Sequence, residues 1–215
     1  MAVAIAVVLV AAAIVPFLNP LWVAFAQERA EATAWTGFTR QELSDATGRV
    51  LGDLLTGGGF VIPMGSGVLL LDDREIVHMQ DVQRVFTVFG LLALGAATAL
   101  IGLRRIGGRR WWAAARASAV GLAAGVFVLG MVGAFAFEVA FEVFHGLFFA
   151  SGSYTFDPRT DRLVQLFPQR FWFETSMAVG AVILVLAGIV ATVATRRLHA
   201  RRPVARALPA LETAG

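Results

Sequence analysis

The chain has 215 residues, of which 58% are hydrophobic and 15% are charged. A soluble domain carries about 45–50% apolar and about 25% charged residues, so this composition argues against a cytosolic enzyme and against a disordered chain. The sequence contains no cysteine, which excludes disulfides, thiolate nucleophiles and cysteine-ligated metal sites. All 18 basic residues are arginine, and the pI is about 10.8.

Four uncharged segments are long enough to cross a membrane, which requires about 20 largely apolar residues. They predict an all-α membrane protein with four transmembrane helices and two extracytoplasmic loops. The predicted boundaries are residues 1–26, 85–103, 117–137 and 175–195 for the spans, 27–84 and 138–174 for the extracytoplasmic loops, 104–116 for a cytoplasmic loop, and 196–215 for an arginine-rich cytoplasmic tail.

The distribution of charge predicts the orientation, because short loops rich in arginine stay in the cytoplasm. Loop 104–116 carries five arginines and no acid, and the tail 196–215 carries five arginines and one glutamate. Loop 27–84 carries five arginines and nine acids, and loop 138–174 carries three arginines and five acids. We therefore expect a cell-membrane protein with both termini in the cytoplasm and its basic face on anionic lipid, with no nucleic acid as partner.

A second interpretation of the first span is a cleaved signal peptide, because Ala24-Phe25-Ala26 has the form of a cleavage site. The apolar stretch is long for a signal peptide, and no positive side chain precedes it. These two properties favour a retained span. Cleavage would leave both extracytoplasmic loops unchanged.

The first extracytoplasmic loop contains signals for two helices. Thr39–Glu42 has the form of a capping box, and apolar residues then recur with helical spacing over 43–54, which predicts an amphipathic helix. The segment 60–71 contains Pro63 and two glycines, which is typical of one or two short strands or an extended loop. A second capping box, Asp72–Glu75, predicts a helix that continues into the second span.

Two of the three histidines lie at the outer edge of the predicted membrane. His78 has Asp81 three residues later, and His145 has Glu142 three residues earlier, while His199 lies in the arginine-rich tail. A carboxylate at this helical spacing fixes the tautomer of a histidine and raises its basicity, as a general base requires. The alternative interpretation is a pair of solvated histidines at the interface.

The pairs Glu75-x-x-His78 and Glu142-x-x-His145 also match the motif of di-metal carboxylate bundles. Such a site needs further carboxylates, but the available ones gather at the rim of the bundle, and we therefore expect no metal and no cofactor. The alternative nevertheless stays open at this point, with these further ligands: Glu28 or Glu31, and Glu174.

A membrane scaffold or transporter without enzymatic activity is a third class of function. The predicted spans hold no charged residue, and a pathway for ions or protons through the membrane normally uses such residues. The sequence therefore favours an enzyme over a transporter.

Several short motifs resemble those of a known bacterial membrane protein family. They are Glu75-Ile76-Val77-His78-Met79-Gln80-Asp81-Val82, Phe144-His145-Gly146-Leu147-Phe148-Phe149, Asp157-Pro158-x-x-Asp161 and Leu166-Phe167-Pro168-x-x-Phe171. In this order they are similar to a four-span family that includes the lipoprotein intramolecular transacylase. The resemblance extends from the first span to the fourth and leaves out the arginine-rich tail.

The resemblance implies an acyl transfer at the outer leaflet. The substrate would be a diacylglyceryl-modified lipoprotein, and a fatty acyl chain would move from its lipid to the α-amine of its N-terminal cysteine, giving the lyso form. The resemblance further implies that His78 and His145 are the catalytic residues, as acid and base or as nucleophile. We expect supporting roles for the neighbouring acids: Glu75, Asp81, Glu142, Asp157 and Asp161.

Overall fold

The computed structural model describes residues 1–65 and 67–200, which form a predominantly helical protein. Residue 66 and residues 201–215, which include most of the predicted arginine-rich tail 196–215, lie outside the described residues. The α-helices in chain order are α1 (Ala2–Ile14), α2 (Pro20–Arg29), α3 (Ala32–Thr36), α4 (Arg40–Thr56), α5 (Asp73–Ile106), α6 (Gly108–Phe148), α7 (Arg162–Leu166) and α8 (Gln169–Ala200).

Three helices, α5, α6 and α8, are long and apolar enough to cross a membrane. Their most apolar windows have mean hydropathies of 2.1, 2.2 and 2.6, and only 6%, 6% and 17% of the residues in these windows are buried inside the chain. Such apolar surface is stable only against lipid or another chain. The protein is therefore an integral membrane protein with three candidate spans, or four if the bent pair described next is counted.

The first predicted span is bent rather than continuous to residue 26. A 3-10 turn at Val15–Leu18 follows α1, and the chain then turns by 73° before α2. Pro20 lacks the N–H that would continue the preceding helix, and the side chain of Asn19 caps the new helix by accepting from the Leu21 N–H at 2.8 Å. The sequence Asn19-Pro20 therefore ends one helix and starts the next.

The predicted cytoplasmic loop 104–116 is almost entirely helical. Gly107 alone separates the end of α5 from the start of α6. A Cβ atom at Gly107 would lie 2.9 Å from the Trp111 Cβ and 3.0 Å from the Leu103 carbonyl oxygen, and Gly108 has a φ of +47°. Only glycine is tolerated readily in this turn. The sequence predicted a loop over the whole segment 104–116 because of its many arginines, whereas the structure has two helices joined by this turn.

Helices α6 and α8 pack against each other, and α6 is kinked near the end that carries His145. A Cβ atom at Gly133 would lie 3.3 Å from the Met177 Cε of α8, so a small residue permits the approach. Three residues later, Ala136 departs from helical geometry with φ −142° and ψ 48°. The kink follows two closely spaced glycines, Gly130 and Gly133, rather than a proline.

The head of the protein consists of α3, α4, α7 and the segments 57–72 and 150–161, and it lies at the end of the bundle that holds His78 and His145. Helix α4 begins with the predicted capping box of Thr39 and Glu42. Residues 60–65 and 67–71 form an extended loop, and the one β-bridge among the described residues joins Pro63 to Leu69. The expectation of short strands was therefore wrong, and the extended loop is observed.

The head has its own apolar core, which buries the loop and the three short helices together. Its buried members are Ala32, Leu43, Ala46, Val50, Phe60, Ile62, Leu70, Leu71, Ile76, Met79, Leu163 and Leu166. Buried Gln27 extends from α2 into this region, where it donates to the Thr47 hydroxyl at 2.9 Å and to the Leu166 carbonyl at 2.8 Å. The head is thus tied to the membrane helices by polar as well as apolar contacts.

Candidate active site

His78 lies in the second turn of α5, where the helix enters the head. The second predicted capping box starts this helix, because the Asp72 side chain accepts from the Glu75 N–H at 2.8 Å. The His78 side chain is only 5% exposed, and its Nδ1 has no hydrogen-bond partner among residues 1–65 and 67–200. Its contacts are aromatic, with Phe149 at 4.8 Å and Phe156 at 5.4 Å between ring centroids.

His145 lies one turn before the end of α6, on the segment beyond the kink. Its Nδ1 lies 2.8 Å from the Phe141 carbonyl oxygen one turn earlier. A carbonyl only accepts hydrogen bonds, so Nδ1 carries the proton and Nε2 of the neutral ring carries the free electron pair. The Phe141 ring also packs on the imidazole, with centroids 4.0 Å apart.

The two imidazoles face each other across the head end of the bundle. Their centroids are 6.1 Å apart, and the ring planes differ by 24°. Residues 67 positions apart in the sequence are thus brought together by α5 and α6. The rings around them form an aromatic cage, which we define as Phe141, Phe144, Phe149, Tyr154 and Phe156.

The predicted carboxylate partners do not bind the histidines. Asp81 pairs with Arg84 at 2.8 Å, and Glu142 is exposed on α6. Within the described part of the chain, neither makes a hydrogen bond with His78 or His145. The expectation that these two carboxylates fix the tautomers is therefore wrong, because the main chain holds one ring and aromatic packing holds the other.

Glu75 is a structural residue buried beneath the site. It is 1% exposed, and its carboxylate accepts from the Asp72 N–H at 2.8 Å and from the Leu163 N–H at 2.6 Å. The first bond closes the capping box, and the second joins α5 to the N-terminus of α7, where a negative charge is favourable. Glu75 thus fixes the position of α7 relative to the helix that carries His78.

The predicted Asp157 and Asp161 organise the loop that supplies Phe156 to the cage. Asp161 is nearly buried and accepts from the Asp157 N–H at 2.7 Å and from the Arg74 guanidinium at 3.1 Å. Hydrogen bonds from Arg159 lower the pKa of the Asp157 carboxyl to about 2. Both aspartates therefore act on the loop and do not contact the imidazoles.

Arg74 is a residue of the site that the carboxylate–histidine pattern did not single out. Its guanidinium carbon lies 5.6 Å from the centroid of Phe156, which in turn packs on His78. A signal was present in the sequence, because Arg74 precedes His78 by four residues and shares its helix face. The role of Phe156 had no such signal, since it depends on how the loop folds.

The di-metal alternative is not supported by the positions of its ligands. Glu75 accepts hydrogen bonds from two main-chain N–H groups. Glu28 pairs with Arg40 at 2.8 Å, and Glu174 pairs with Arg170 at 2.9 Å. No three His, Asp or Glu side chains converge as metal ligands within residues 1–65 and 67–200. The sequence motif places each pair on one helix but does not bring the carboxylates to a common point.

These features define a polytopic helical membrane protein with a histidine pair enclosed by aromatic rings between its bundle and its head. A model of the family "Lipoprotein intramolecular transacylase Lit" matches residues 1–172. The chain therefore belongs to the lipoprotein intramolecular transacylase family, as the sequence motifs indicated.

Solved structures of a Bacillus cereus protein have the same fold. The in meso structure of the membrane-integral lipoprotein intramolecular transacylase Lit from that organism matches with a TM-score of 0.74 at 16% identity, covering 94% of each chain. Two structures of the same protein with one histidine substituted match with TM-scores of 0.69 and 0.64 at 17% and 18% identity. They cover 94% of this chain and 90% and 91% of theirs, respectively.

A relative from Aquifex aeolicus (strain VF5), described as an uncharacterized protein, is 28% identical over 128 residues. The match covers 58% of this chain and 56% of that relative. The chain thus spans only a little over half the length of this relative.

Proposed function

We propose that this protein is an acyltransferase that converts a diacylglyceryl-modified lipoprotein into its lyso form. One fatty acyl chain would move from the glyceryl ester to the α-amine of the lipoprotein's own N-terminal cysteine. The observation that carries the proposal is the convergence of His78 and His145, whose ring centroids are 6.1 Å apart. Membership of the transacylase family supports it, since the family is named for this reaction.

In the proposed mechanism, His145 is the general base. Its Nδ1 proton is held by the Phe141 carbonyl at 2.8 Å, which leaves Nε2 free to take a proton from the attacking amine. The amine nitrogen then forms a bond with the ester carbonyl carbon. When the tetrahedral intermediate collapses, the bond from that carbon to the glyceryl oxygen breaks, and His145 returns the proton to this oxygen. The products are an amide and a glyceryl hydroxyl.

The proposed role of His78 is to stabilise the oxyanion of the tetrahedral intermediate. Its buried Nδ1 has no partner among the described residues, so we assign the donating N–H to Nε2. A fixed donor in a site that excludes water stabilises a developing charge more strongly than water does. Packing against Phe149 and Phe156 supplies the fixed geometry.

The aromatic cage and the depth of the site suit a lipid substrate. The apolar segment of α5 starts seven residues after His78, which corresponds to about 10 Å along a helix. We propose four spans, with the bent α1–α2 pair as the first, and both termini in the cytoplasm. In that orientation the histidines lie at the outer leaflet of the cell membrane, with membrane lipid beside them.

The direct test uses a bacterial host that makes diacylated lipoproteins and lacks N-acylation of its own. The protein would be expressed in this host together with a reporter lipoprotein. The N-terminal lipopeptide of the reporter would then be analysed by mass spectrometry. We expect the lyso form with the natural sequence and the unmodified diacyl form with the double variant H78Q/H145Q. Unchanged diacyl lipopeptide in membranes that contain the natural protein would refute the proposal.

A further inference from the structure

The end of the bundle opposite the histidines carries an excess of positive charge. Seven arginines lie at the membrane-helix ends there, whereas the sequence contains no Asp or Glu in residues 85–137 or 175–200. Among the described residues, none of these arginines forms an ion pair, and Glu212 is the one carboxylate of the sequence after residue 174. Most of this charge must therefore be balanced from outside the chain. The arginines are Arg104, Arg105, Arg109, Arg110, Arg116, Arg196 and Arg197.

Two of these arginines meet at a single indole ring. The guanidinium carbon of Arg104, on α5, lies 6.0 Å from the Trp112 ring centroid, and that of Arg197, on α8, lies 5.8 Å from it. The two guanidinium groups are thus separated by no more than the sum of these distances. Trp112 itself belongs to α6, so three membrane helices each supply one member of the arrangement.

The surrounding structure fixes the indole. The turn at Gly107 is tight, since a Cβ atom at this position would lie 2.9 Å from the Trp111 Cβ. It holds the last turn of α5 close to the first turns of α6. Trp112 also packs against the apolar core at this end of the bundle, which is formed by Ile5, Leu9, Leu100, Ala115 and Ala194. An indole held in this way keeps both cations near it.

We propose that Arg104, Trp112 and Arg197 form a binding site for the phosphodiester headgroup of an anionic phospholipid. Two guanidinium groups supply paired N–H donors that match phosphate oxygens. An anion bound beside the ring also offsets the repulsion between two like charges that lie no more than about 12 Å apart. The site is separate from the histidines and does not depend on the proposed acyl transfer.

The position of the site favours a lipid as its occupant. Exposed apolar side chains lie within about one helical turn of these arginines in the sequence, including Ile101 and Leu103 on α5 and Val193 on α8. A molecule that neutralises the arginines must therefore present apolar chains and an anion at neighbouring depths. A membrane phospholipid does both, and tryptophan is common at this depth.

The test is a lipid titration of the full-length protein in detergent, followed by native mass spectrometry. Dioleoyl phosphatidylglycerol is the anionic probe, and dioleoyl phosphatidylcholine is the control with no net charge. We expect tighter binding of the anionic lipid to the natural protein. The variant R104Q/R197Q should lose this affinity by about tenfold, since both direct guanidinium–phosphate contacts are removed.

The matched control is R109Q/R110Q, which removes the same charge at the same end of the bundle but leaves the two arginines at Trp112. We expect this control to weaken binding by about twofold at most in physiological salt. Equal losses in both double variants would overturn the proposal in favour of a diffuse surface charge. Equal binding of the two lipids to the natural protein would also overturn it.

A further variant, W112L, keeps all charges and removes the indole. We expect weaker binding of the anionic lipid, and unchanged binding in a folded variant would overturn the role of Trp112. If W112L does not fold, W112M, which keeps a long apolar side chain without a ring, takes its place in the same comparison. Conversion of the reporter lipoprotein to its lyso form measures the activity of the histidine site independently of lipid binding. A negative result in one experiment therefore does not refute the other proposal.

Discussion

His145 is held by a hydrogen bond from its own helix, whereas His78 is held by the rings that surround it. The first bond joins Nδ1 to the Phe141 carbonyl at 2.8 Å. Nothing equivalent reaches the Nδ1 of His78 within the described chain, and Phe149 and Phe156 pack on its ring instead. One imidazole is therefore oriented locally, and the other is oriented by tertiary structure.

This difference means that the two imidazoles depend on different parts of the structure. The hydrogen-bond partner of His145 lies one turn away on α6. The environment of His78 exists only when the loop 150–161 and the head have folded around α5. Changes in the head should therefore affect His78 more than His145.

The largest effect is expected from replacing either histidine alone. H78Q and H145Q should each lower the rate of conversion to the lyso form by about 10²–10⁴, the usual contribution of an acid–base group. Lipopeptide mass spectrometry with equal protein levels in the membrane gives the rates. H199Q is the matched control at the other end of the bundle and should leave the rate unchanged. Equal rates in all three variants would contradict the assigned roles.

Replacing Glu75 tests the structural side of the comparison. E75Q should destabilise the protein by about 1–3 kcal/mol, because a buried carboxylate loses its charge-assisted bonds to two main-chain N–H groups. The midpoint of thermal unfolding in detergent measures this change. Exposed Glu142 supplies the control variant E142Q, for which no shift is expected. A shift of the same size in both variants would show that the two buried hydrogen bonds of Glu75 do not stabilise the protein more than an exposed carboxylate does.

A pair of aromatic variants separates packing from hydrogen bonding. F156L removes a ring that orients His78, and F141L removes a ring from His145 but keeps the main-chain carbonyl that binds its Nδ1. We expect the conversion rate to fall about tenfold in F156L and about twofold in F141L, since small errors of position are costly in catalysis. The reverse order would show that the ring, rather than the carbonyl, orients His145.

The smallest effect is expected from Arg74, which reaches His78 only through Phe156. R74Q removes a cation–π contact at 5.6 Å and an ion pair between the exposed Arg74 and the nearly buried Asp161, each worth on the order of 0.5–1 kcal/mol. The conversion rate should fall about threefold, with the pH profile shifted if the His78 ring moves. R40Q, which removes an exposed ion pair with Glu28 outside this loop, is the control and should leave both readouts unchanged.

The long apolar helices and the helix starts could be predicted from the sequence, because they depend on local patterns. The capping boxes at Thr39 and Asp72 and the continuous helix from Asp72 into the membrane are present as predicted. The sequence also placed His78 and His145 at a common depth beside two spans, but it did not show that their rings meet. Hydropathy reports an average over a window, however, and did not show the bend at Asn19.

Side-chain partners within the site were less predictable. Asp81 and Glu142 have the helical spacing that a hydrogen bond to the histidines requires. A carboxylate at this spacing can also bind other partners, and Asp81 pairs with Arg84 instead. The contact of Phe156 with His78 depends on the fold of the loop around Asp161, which no periodicity encodes. Spacing along one helix therefore predicted which residues share a face, but not which atoms bind.

The unbroken α5 helix has a consequence for the thickness of the membrane in which the protein works. His78 and Arg104 stand 26 residues apart on it, which corresponds to about 39 Å of helix. A bilayer with its headgroups is about 40–45 Å thick, so a helix anchored by Arg104 at one surface places His78 near the opposite one. In a thicker bilayer we expect the same helix to place His78 deeper, so the rate of conversion should fall as the lipid acyl chains lengthen.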